Sequence, residues 1–317
     1  ADLRGQETVK RAALIAAAGF HNFLMEGPPG TGKSMAARRI PTILPPLTRE
    51  ESLELTQIYS VAGLLPEKNP LMDRRPFRAP HHTLSPQALC GGGRVPRPGE
   101  LTLAHRGVLF LDELPEMARG TLELLRQPLE EKQIILSRAS GTYLFPSDFM
   151  LVGAMNPCPC GCYPDPERCR CTPGDIYRYR KKISQALLER MDLWIKVRPL
   201  PCGMLQKPDK KGGTSEEMRK IVSRTARLQR ERYRGKTFCF NSGLGTGDLD
   251  RFCPVTGEGR RMLEAAYSRL GLSARSYHRV LKVARTLADL EEEDIISERH
   301  ISEALCYRSP EGEYRRV

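Results

Sequence analysis

The sequence contains no apolar run of about 18 residues, the length that a membrane-crossing helix needs. It also has no signal-peptide pattern at its N-terminus, no internal repeat and no long low-complexity tract. We therefore expect no membrane span and a cytoplasmic location. The chain begins at Ala1 and not at methionine, so we expect it to be a piece of a longer protein.

Acidic residues are too few to balance the basic ones. The chain has 38 Asp and Glu against 50 Lys and Arg, which gives a net charge of +12 at pH 7. This excess favours an anionic partner, nucleic acid first. The alternative is an ordinary basic surface, although nucleotide binding alone would use only a few of these charges.

A glycine-rich segment follows the short apolar run Phe23–Glu26 and precedes a helix-forming stretch. It reads Gly27-Pro28-Pro29-Gly30-Thr31-Gly32-Lys33-Ser34. This fits G-x-x-x-x-G-K-[ST], a loop whose backbone N–H groups surround the phosphates of ATP. Lys33 would contact the β- and γ-phosphates and the Ser34 hydroxyl would bind Mg²⁺. The segment therefore predicts ATP and Mg²⁺ as cofactors.

A second segment, Val108–Leu111, is apolar and is followed by Asp112 and Glu113. Such a run is typical of a buried parallel strand, and its carboxyl end is where ligands bind in open α/β sheets. We expect Asp112 to hold Mg²⁺ and Glu113 to act as general base on the attacking water.

Half of the ten cysteines fall between residues 158 and 171. Without a secretion signal, these cysteines argue against a disulfide framework. Cys158, Cys160, Cys169 and Cys171 form two C-x-C pairs that could supply four thiolates to Zn²⁺, with Cys162 as a possible substitute in the first pair. The alternative is a loop of reduced thiols.

The order of these segments predicts an α/β nucleotide-binding core over residues 1–205 and a helical domain over 216–317, joined by a polar linker at 206–215. Within the core we expect a mostly irregular insertion at about 59–106, one helix over Ala118–Glu131, a hairpin at about 132–146 and the Cys-rich loop at 158–171. For His81 and His82, structural or phosphate-contact roles are favoured over metal binding.

Several stretches together resemble the ComM/YifB family of bacterial magnesium-chelatase-like AAA+ ATPases. They are Pro76-Phe77-Arg78-Ala79-Pro80-His81-His82, the run from Gly91 to Glu100, Gly107 to Glu116, Met155-Asn156-Pro157-Cys158-Pro159-Cys160-Gly161, and Leu272 to Arg279. The resemblance implies an AAA+ core with a parallel sheet between helices and a small all-α lid. Family members also carry an N-terminal domain resembling part of Lon protease, which this sequence lacks. Members linked to natural transformation act as hexameric helicases in DNA branch migration, so the resemblance implies that activity.

The resemblance also assigns roles to single residues. Asn156 corresponds to sensor 1, which aligns water against the γ-phosphate, and Arg190 to the arginine finger that acts on a neighbouring subunit. Arg275 corresponds to sensor 2, and Arg279, one turn further along the helix, is the rival for that role. Where the family usually reads Ser-Gly-Pro before the finger, this chain reads Ser184-Gln185-Ala186, so the turn differs while Arg190 is kept.

Two basic regions are candidates for DNA contact. Lys132 and Arg138 belong to the predicted hairpin, which points into the pore in related rings. Arg178, Arg180, Lys181 and Lys182 follow the Cys-rich loop, with Tyr177 and Tyr179 between them as possible base-stacking groups. The alternative is a solvated basic loop.

Two other functions remain open at this point. A chelatase-type or MoxR-like ATPase would use ATP to remodel a protein partner or to assist metal insertion. A nucleotide-gated scaffold would bind ATP with negligible turnover.

Overall fold

The computed structural model describes residues 5–65, 70–138, 141–200 and 213–308. The described chain divides into two compact units. The first comprises the described residues within 1–32, 42–45 and 191–317, and the second comprises those within 33–41 and 46–190.

The secondary structure is numbered here in chain order. The helices are α1 Glu7–Gly19, α2 Lys33–Ile43, α3 Arg49–Ala62, α4 Pro86–Cys90, α5 Glu100–Leu103, α6 Arg119–Glu123, α7 Arg126–Glu131, α8 Pro173–Lys181, α9 Gln185–Leu188, α10 Ser215–Arg232, α11 Thr246–Phe252, α12 Gly257–Leu270, α13 Ala274–Leu290 and α14 Glu298–Cys306. The strands are β1 Phe23–Glu26, β2 Phe77–Arg78, β3 Gly91–Gly92, β4 Arg97–Pro98, β5 Val108–Leu111, β6 Gln133–Arg138, β7 Gly141–Pro146, β8 Met150–Met155 and β9 Leu193–Lys196.

In the second unit, β5 pairs in parallel with β2 on one side and with β8 on the other. Every residue of β5 and β8 is buried, as expected for strands covered on both faces. Leu111 lies opposite Gly153, so β5 and β8 end at the same edge of the sheet. This register brings the residues that follow the two strands to one place. The antiparallel hairpin β6–β7 stands apart from this sheet.

In the first unit, β1 pairs in parallel with β9, and Phe23 lies opposite Leu193. Helix α1 packs against α10 and α13. A buried polar contact reinforces this packing, because the side-chain amide of Gln229 donates to the carbonyl of Ala18 at 3.1 Å. The helices that follow the core strands along the chain are thereby fixed to α1.

The predicted fold class, an α/β core with parallel strands followed by an all-helical region, is confirmed. The hairpin has the predicted strands, and its turn at residues 139–140 lies outside the described residues, as does most of the predicted linker. Within the described residues no helix is long and apolar enough to cross a membrane.

The single helix predicted over Ala118–Glu131 is wrong. The segment forms two short helices, α6 and α7, which meet at Leu124 and Leu125. Pro128 has no N–H to donate to the carbonyl of Leu124 four residues earlier, so a continuous helix would lose a hydrogen bond there. In the first turn of α7, the same proline is tolerated.

Candidate nucleotide site

The phosphate loop runs from the end of β1 to the start of α2. Gly30 and Gly32 have φ angles of 76° and 86°, a region that glycine enters without strain. A side chain at Gly27 would lie 2.3 Å from the carbonyl oxygen of Val197, so the backbone passes too closely there for any other residue. The glycines of the motif therefore serve the curvature of the loop, and α2 begins at Lys33.

Four predicted site residues meet at the start of α2. The Lys33 ammonium donates to Oδ1 of Asn156 at 3.2 Å. The Ser34 hydroxyl donates to Oδ2 of Asp112 at 2.6 Å. Asp112 directly follows β5 and Asn156 directly follows β8, so the shared sheet edge places both beside the phosphate loop residues of α2. The sequence prediction for these four residues thus corresponds to one continuous cluster.

Ser34 and Asp112 also meet the chemical requirement for Mg²⁺. A hydroxyl and a carboxylate oxygen are hard oxygen ligands, and Mg²⁺ is held in proteins by one or two such groups together with phosphate oxygens. Nearby, Lys33 is buried. Burial lowers its pKa, while the negative charges of Asp112 and Glu113 act in the opposite direction.

Glu113 has a partner that the sequence did not reveal. Nδ1 of His82 lies 3.2 Å from Oε2 of Glu113, whose side chain is half exposed. The Glu113 backbone has a φ of 49°, in the left-handed region that non-glycine residues enter rarely. The ring centroid of His81 lies 4.1 Å from that of His82. Nδ1 of His81 is close to the Thr83 hydroxyl. His82 therefore contacts the candidate general base directly.

Helix α8 contacts the backbone of Asn156 through Tyr179. Tyr179 of this helix is almost fully buried. Burial raises the pKa of Tyr179, and a hydrogen bond with the backbone of Asn156 acts against that rise. Because Tyr179 is buried, it is not available to stack on a nucleic-acid base, whereas Tyr177 is exposed.

Arg190 turns back onto its own chain. Its guanidinium donates to the carbonyl of Ala186 and to the carboxylate of Glu130. In place of the family's Gly-Pro, the preceding residues form the short helix α9, whose first turn is capped by the Ser184 hydroxyl. In this chain the residues before the finger are therefore helical, and the Arg190 guanidinium lies next to a carboxylate.

Arg275 and Arg279 both lie near the start of α13, yet they differ in their surroundings. Arg279 donates to the backbone carbonyl of Met191 and, at 3.0 Å, to the Ser276 hydroxyl. The side chain of Arg275 is exposed. Arg279 is thus held by residues of its own unit.

Some of the basic residues suggested for DNA contact form ion pairs within the chain, and others are exposed to solvent. Lys132 forms an ion pair with Asp148 at 3.2 Å, and Lys182 forms one with Glu116 at 3.3 Å. Arg138 is exposed near the end of β6, and Arg178 is exposed while pairing with Asp175 on the same helix. In the preceding loop, the thiols of Cys158, Cys160, Cys169 and Cys171 all lie within 4.8 Å of one another.

Comparisons with known proteins identify the family of the chain. The family model described as magnesium chelatase, subunit ChlI, matches residues 1–221, and its C-terminal model matches residues 212–308. The chain belongs to the magnesium chelatase ChlI family, in its ComM/YifB branch.

Several curated relatives share sequence identity with this ChlI-family chain over part of their own length. It is 47% identical to competence protein ComM of Haemophilus influenzae over 97% of its own length and 59% of that protein. It is 45% identical to YifB of Salmonella typhimurium, covering 98% of this chain and 60% of the relative. A magnesium-chelatase 67 kDa subunit of Heliobacterium mobile is 29% identical over half of the chain. The chain thus spans about 60% of the length of its more similar relatives.

The sequence did not predict two contacts in this ChlI-type site. Those contacts are His82 with Glu113 and Glu130 with Arg190. The pairs are separated by about 30 and 60 residues, and no helical or strand period links positions so far apart. The resemblance singled out the stretches containing His82 and Glu113 and the finger Arg190, but neither the contact between His82 and Glu113 nor the partner Glu130.

Proposed function

We propose that this chain is the ATPase part of a ring-forming DNA motor, a helicase that promotes branch migration during recombination or natural transformation. The observation that supports the ATPase activity is the cluster in which Lys33 donates a hydrogen bond to Asn156 and Ser34 donates one to Asp112. ATP and Mg²⁺ are the proposed cofactors, with zinc proposed for the four-cysteine cluster. A hexamer in the cytoplasm of a bacterium is the proposed assembly and location.

The chain's residues divide the work of hydrolysis. The loop amides and Lys33 bind the phosphates, and Ser34 with Asp112 would hold Mg²⁺, which neutralises phosphate charge. Glu113 accepts the proton of the attacking water, and Asn156 orients that water. Arg190 then serves the adjacent subunit, where its charge stabilises the transition state.

Charge and kinship support DNA as the substrate of the motor. The net charge is +12, and exposed cations project from helix α8 and from the end of β6. Phosphate contacts by such side chains give affinity without sequence preference, which suits movement along DNA. One relative at 47% identity is named a competence protein.

The experiment is an ATPase assay of the full-length protein with forked and four-way DNA, followed by a branch-migration assay. We expect DNA to stimulate ATP hydrolysis and the protein to move the branch point of the four-way junction. Both effects should weaken as the salt concentration rises. Arg138→Ala together with Arg178→Ala should lower stimulation, while Arg269→Ala, an exposed arginine of α12, serves as control. Absence of salt-sensitive DNA binding would rule out the motor.

The second candidate is an ATPase that remodels a protein partner or assists metal insertion. The likeness to magnesium-chelatase subunits favours it. In that case DNA leaves the ATPase rate unchanged, and a protein partner raises it. A nucleotide-gated scaffold is distinguished by Glu113→Gln, which would leave its function intact.

A further inference from the structure

The Cys-rich loop brings four sulfur atoms from two distant C-x-C pairs to one point. The Sγ atom of Cys158 lies 3.4 Å from that of Cys160 and 3.8 Å from that of Cys169, and the last two are 3.6 Å apart. Cys171 completes the group. Cys162 does not belong to it, since its thiol donates to the carbonyl of Cys160. The structure therefore brings together the simplest of the sets that the sequence allowed and leaves Cys162 out.

These distances fit a single metal ion. Four thiolates around Zn²⁺, each about 2.3 Å from the metal, lie about 3.8 Å from one another in a tetrahedron. A disulfide would need two sulfurs about 2.05 Å apart, and it would join them in pairs. Here each of three sulfurs contacts the other two.

Few buried side chains stabilise the Cys-rich loop. Between residues 159 and 171 only Gly161 is buried, so an apolar core does not fix this segment. Backbone bonds shape it locally. The amide of Gly161 donates to the Cys158 carbonyl at 3.0 Å, and the amide of Tyr163 donates to the Cys158 sulfur at 3.4 Å. N–H donation to sulfur favours a thiolate, the form that binds metal.

The cluster also connects two functional segments. Asn156 precedes Cys158 by two residues, and α8 begins two residues after Cys171. At its far end, α8 returns to the sheet edge through buried Tyr179, next to the backbone of Asn156. We infer that Cys158, Cys160, Cys169 and Cys171 form a tetrathiolate zinc site that ties basic helix α8 to the strand end carrying Asn156. The link to Asn156 and DNA rests on the proposed function.

Metal analysis of the purified full-length protein tests the site directly. We expect about one zinc ion per chain, and Co²⁺ substitution should give the absorption of a tetrahedral thiolate complex. Cys171→Ser and Cys160→Ser should lower zinc content about tenfold, and Cys162→Ser, the matched control, should retain it. Zinc-free wild-type protein, or equal loss in Cys162→Ser, overturns the inference, and so does iron in place of zinc.

Limited proteolysis and DNA-stimulated ATPase test the tether. Removal of zinc by a chelator should expose residues 159–171 to cleavage and lower stimulation by DNA several-fold, and added Zn²⁺ should restore both. If zinc is bound and protects the loop while DNA never stimulates the wild type, the metal site stands and the DNA motor fails. If cleavage and stimulation are indifferent to zinc, the tether is wrong.

Discussion

The imidazole Nδ1 of His82 lies 3.2 Å from a carboxylate oxygen of Glu113, the proposed general base. An imidazole N–H at this distance can occupy one acceptor position of the carboxylate and hold its orientation. The insertion that contributes His82 is thereby in contact with the proposed general base, and the contact offers a way to restrain hydrolysis.

We expect His82→Ala to raise the DNA-free ATPase rate a few-fold and to reduce further stimulation by DNA, because Glu113 loses its restraint. Glu113→Gln should lower the rate by about 10²-fold or more. Steady-state ATPase measurements check both. His81→Ala is the control, since the Nδ1 of that residue contacts Thr83. An unchanged basal rate in His82→Ala would contradict a restraining role.

Arg190 and Lys33 provide a test of catalysis between subunits. Each of Lys33→Ala and Arg190→Ala should lose most ATPase activity when alone, the finger variant by about 10³-fold. A mixture of the two should regain part of it, because a subunit lacking its own lysine still offers a finger to its neighbour. Glu130→Gln should stay within about twofold of the wild type, since Glu130 binds the finger only within one chain. No recovery in the mixture would mean that Arg190 does not act in trans.

Arg275 and Arg279 should separate in their effects. Arg279→Ala removes bonds to the Met191 carbonyl and to Ser276, so we expect a fall in melting temperature of about 2–4 °C. Because the Arg275 side chain is exposed, Arg275→Ala should lower the melting temperature by less than Arg279→Ala does, and it should raise the KM for ATP or lower kcat. Thermal denaturation and steady-state kinetics, run side by side, distinguish the two. The reverse pattern would make Arg279 the nucleotide sensor.

The base of the hairpin gives a pH-dependent prediction. Nδ1 of His105 accepts a hydrogen bond from the Asp148 amide at 2.9 Å, so Nε2 carries the proton towards Glu54, 3.1 Å away. The contacts with His105 first, and then with Arg106, lower the pKa of Glu54 to about 2. A carboxylate with a lowered pKa stabilises the fold above its unfolded pKa and loses that contribution as pH falls through the folded one.

Glu54→Gln should therefore reduce the free energy of unfolding by about 1 kcal/mol at neutral pH, after screening of this partly exposed group. The difference from the wild type should shrink between about pH 4.5 and pH 2. Chemical denaturation at a series of pH values measures it, with exposed Glu258→Gln as control. A difference that persists unchanged at pH 2 would exclude the ionised carboxylate as its cause.

Local patterns accounted for strands β1 and β5 and for the two strands of the hairpin. Strand β1 has the predicted bounds, and β5 has them as well, because a four-residue apolar run between polar neighbours has one sensible interpretation. At the start of α14, Ser297 is a cap of the same local kind, since its amide donates to Nδ1 of His300 three residues later at 3.1 Å. Such features depend on residues close in sequence.

Contacts between distant segments could not be predicted in this way. The phosphate loop motif implied that Ser34 and Asp112 would meet, but the motif says nothing of His82 or Glu130. The sequence favoured Cys160 but left Cys162 open as a substitute, because the backbone path of the loop decides which thiol turns inward. The break at Leu124 required weighing Pro128 against helical periodicity.

Residues 156–190 lie entirely within the second unit, with the proposed water-orienting amide at one end and the proposed finger at the other. Between them lie the thiol cluster, the basic helix and the capped turn, which contact other parts of the same unit through the ion pairs of Lys182 with Glu116 and of Arg190 with Glu130. One continuous stretch of chain thus joins the proposed water-orienting residue to the proposed finger, and the basic helix lies between the two. A contact of DNA with that helix would therefore be made midway along the chain that links both residues.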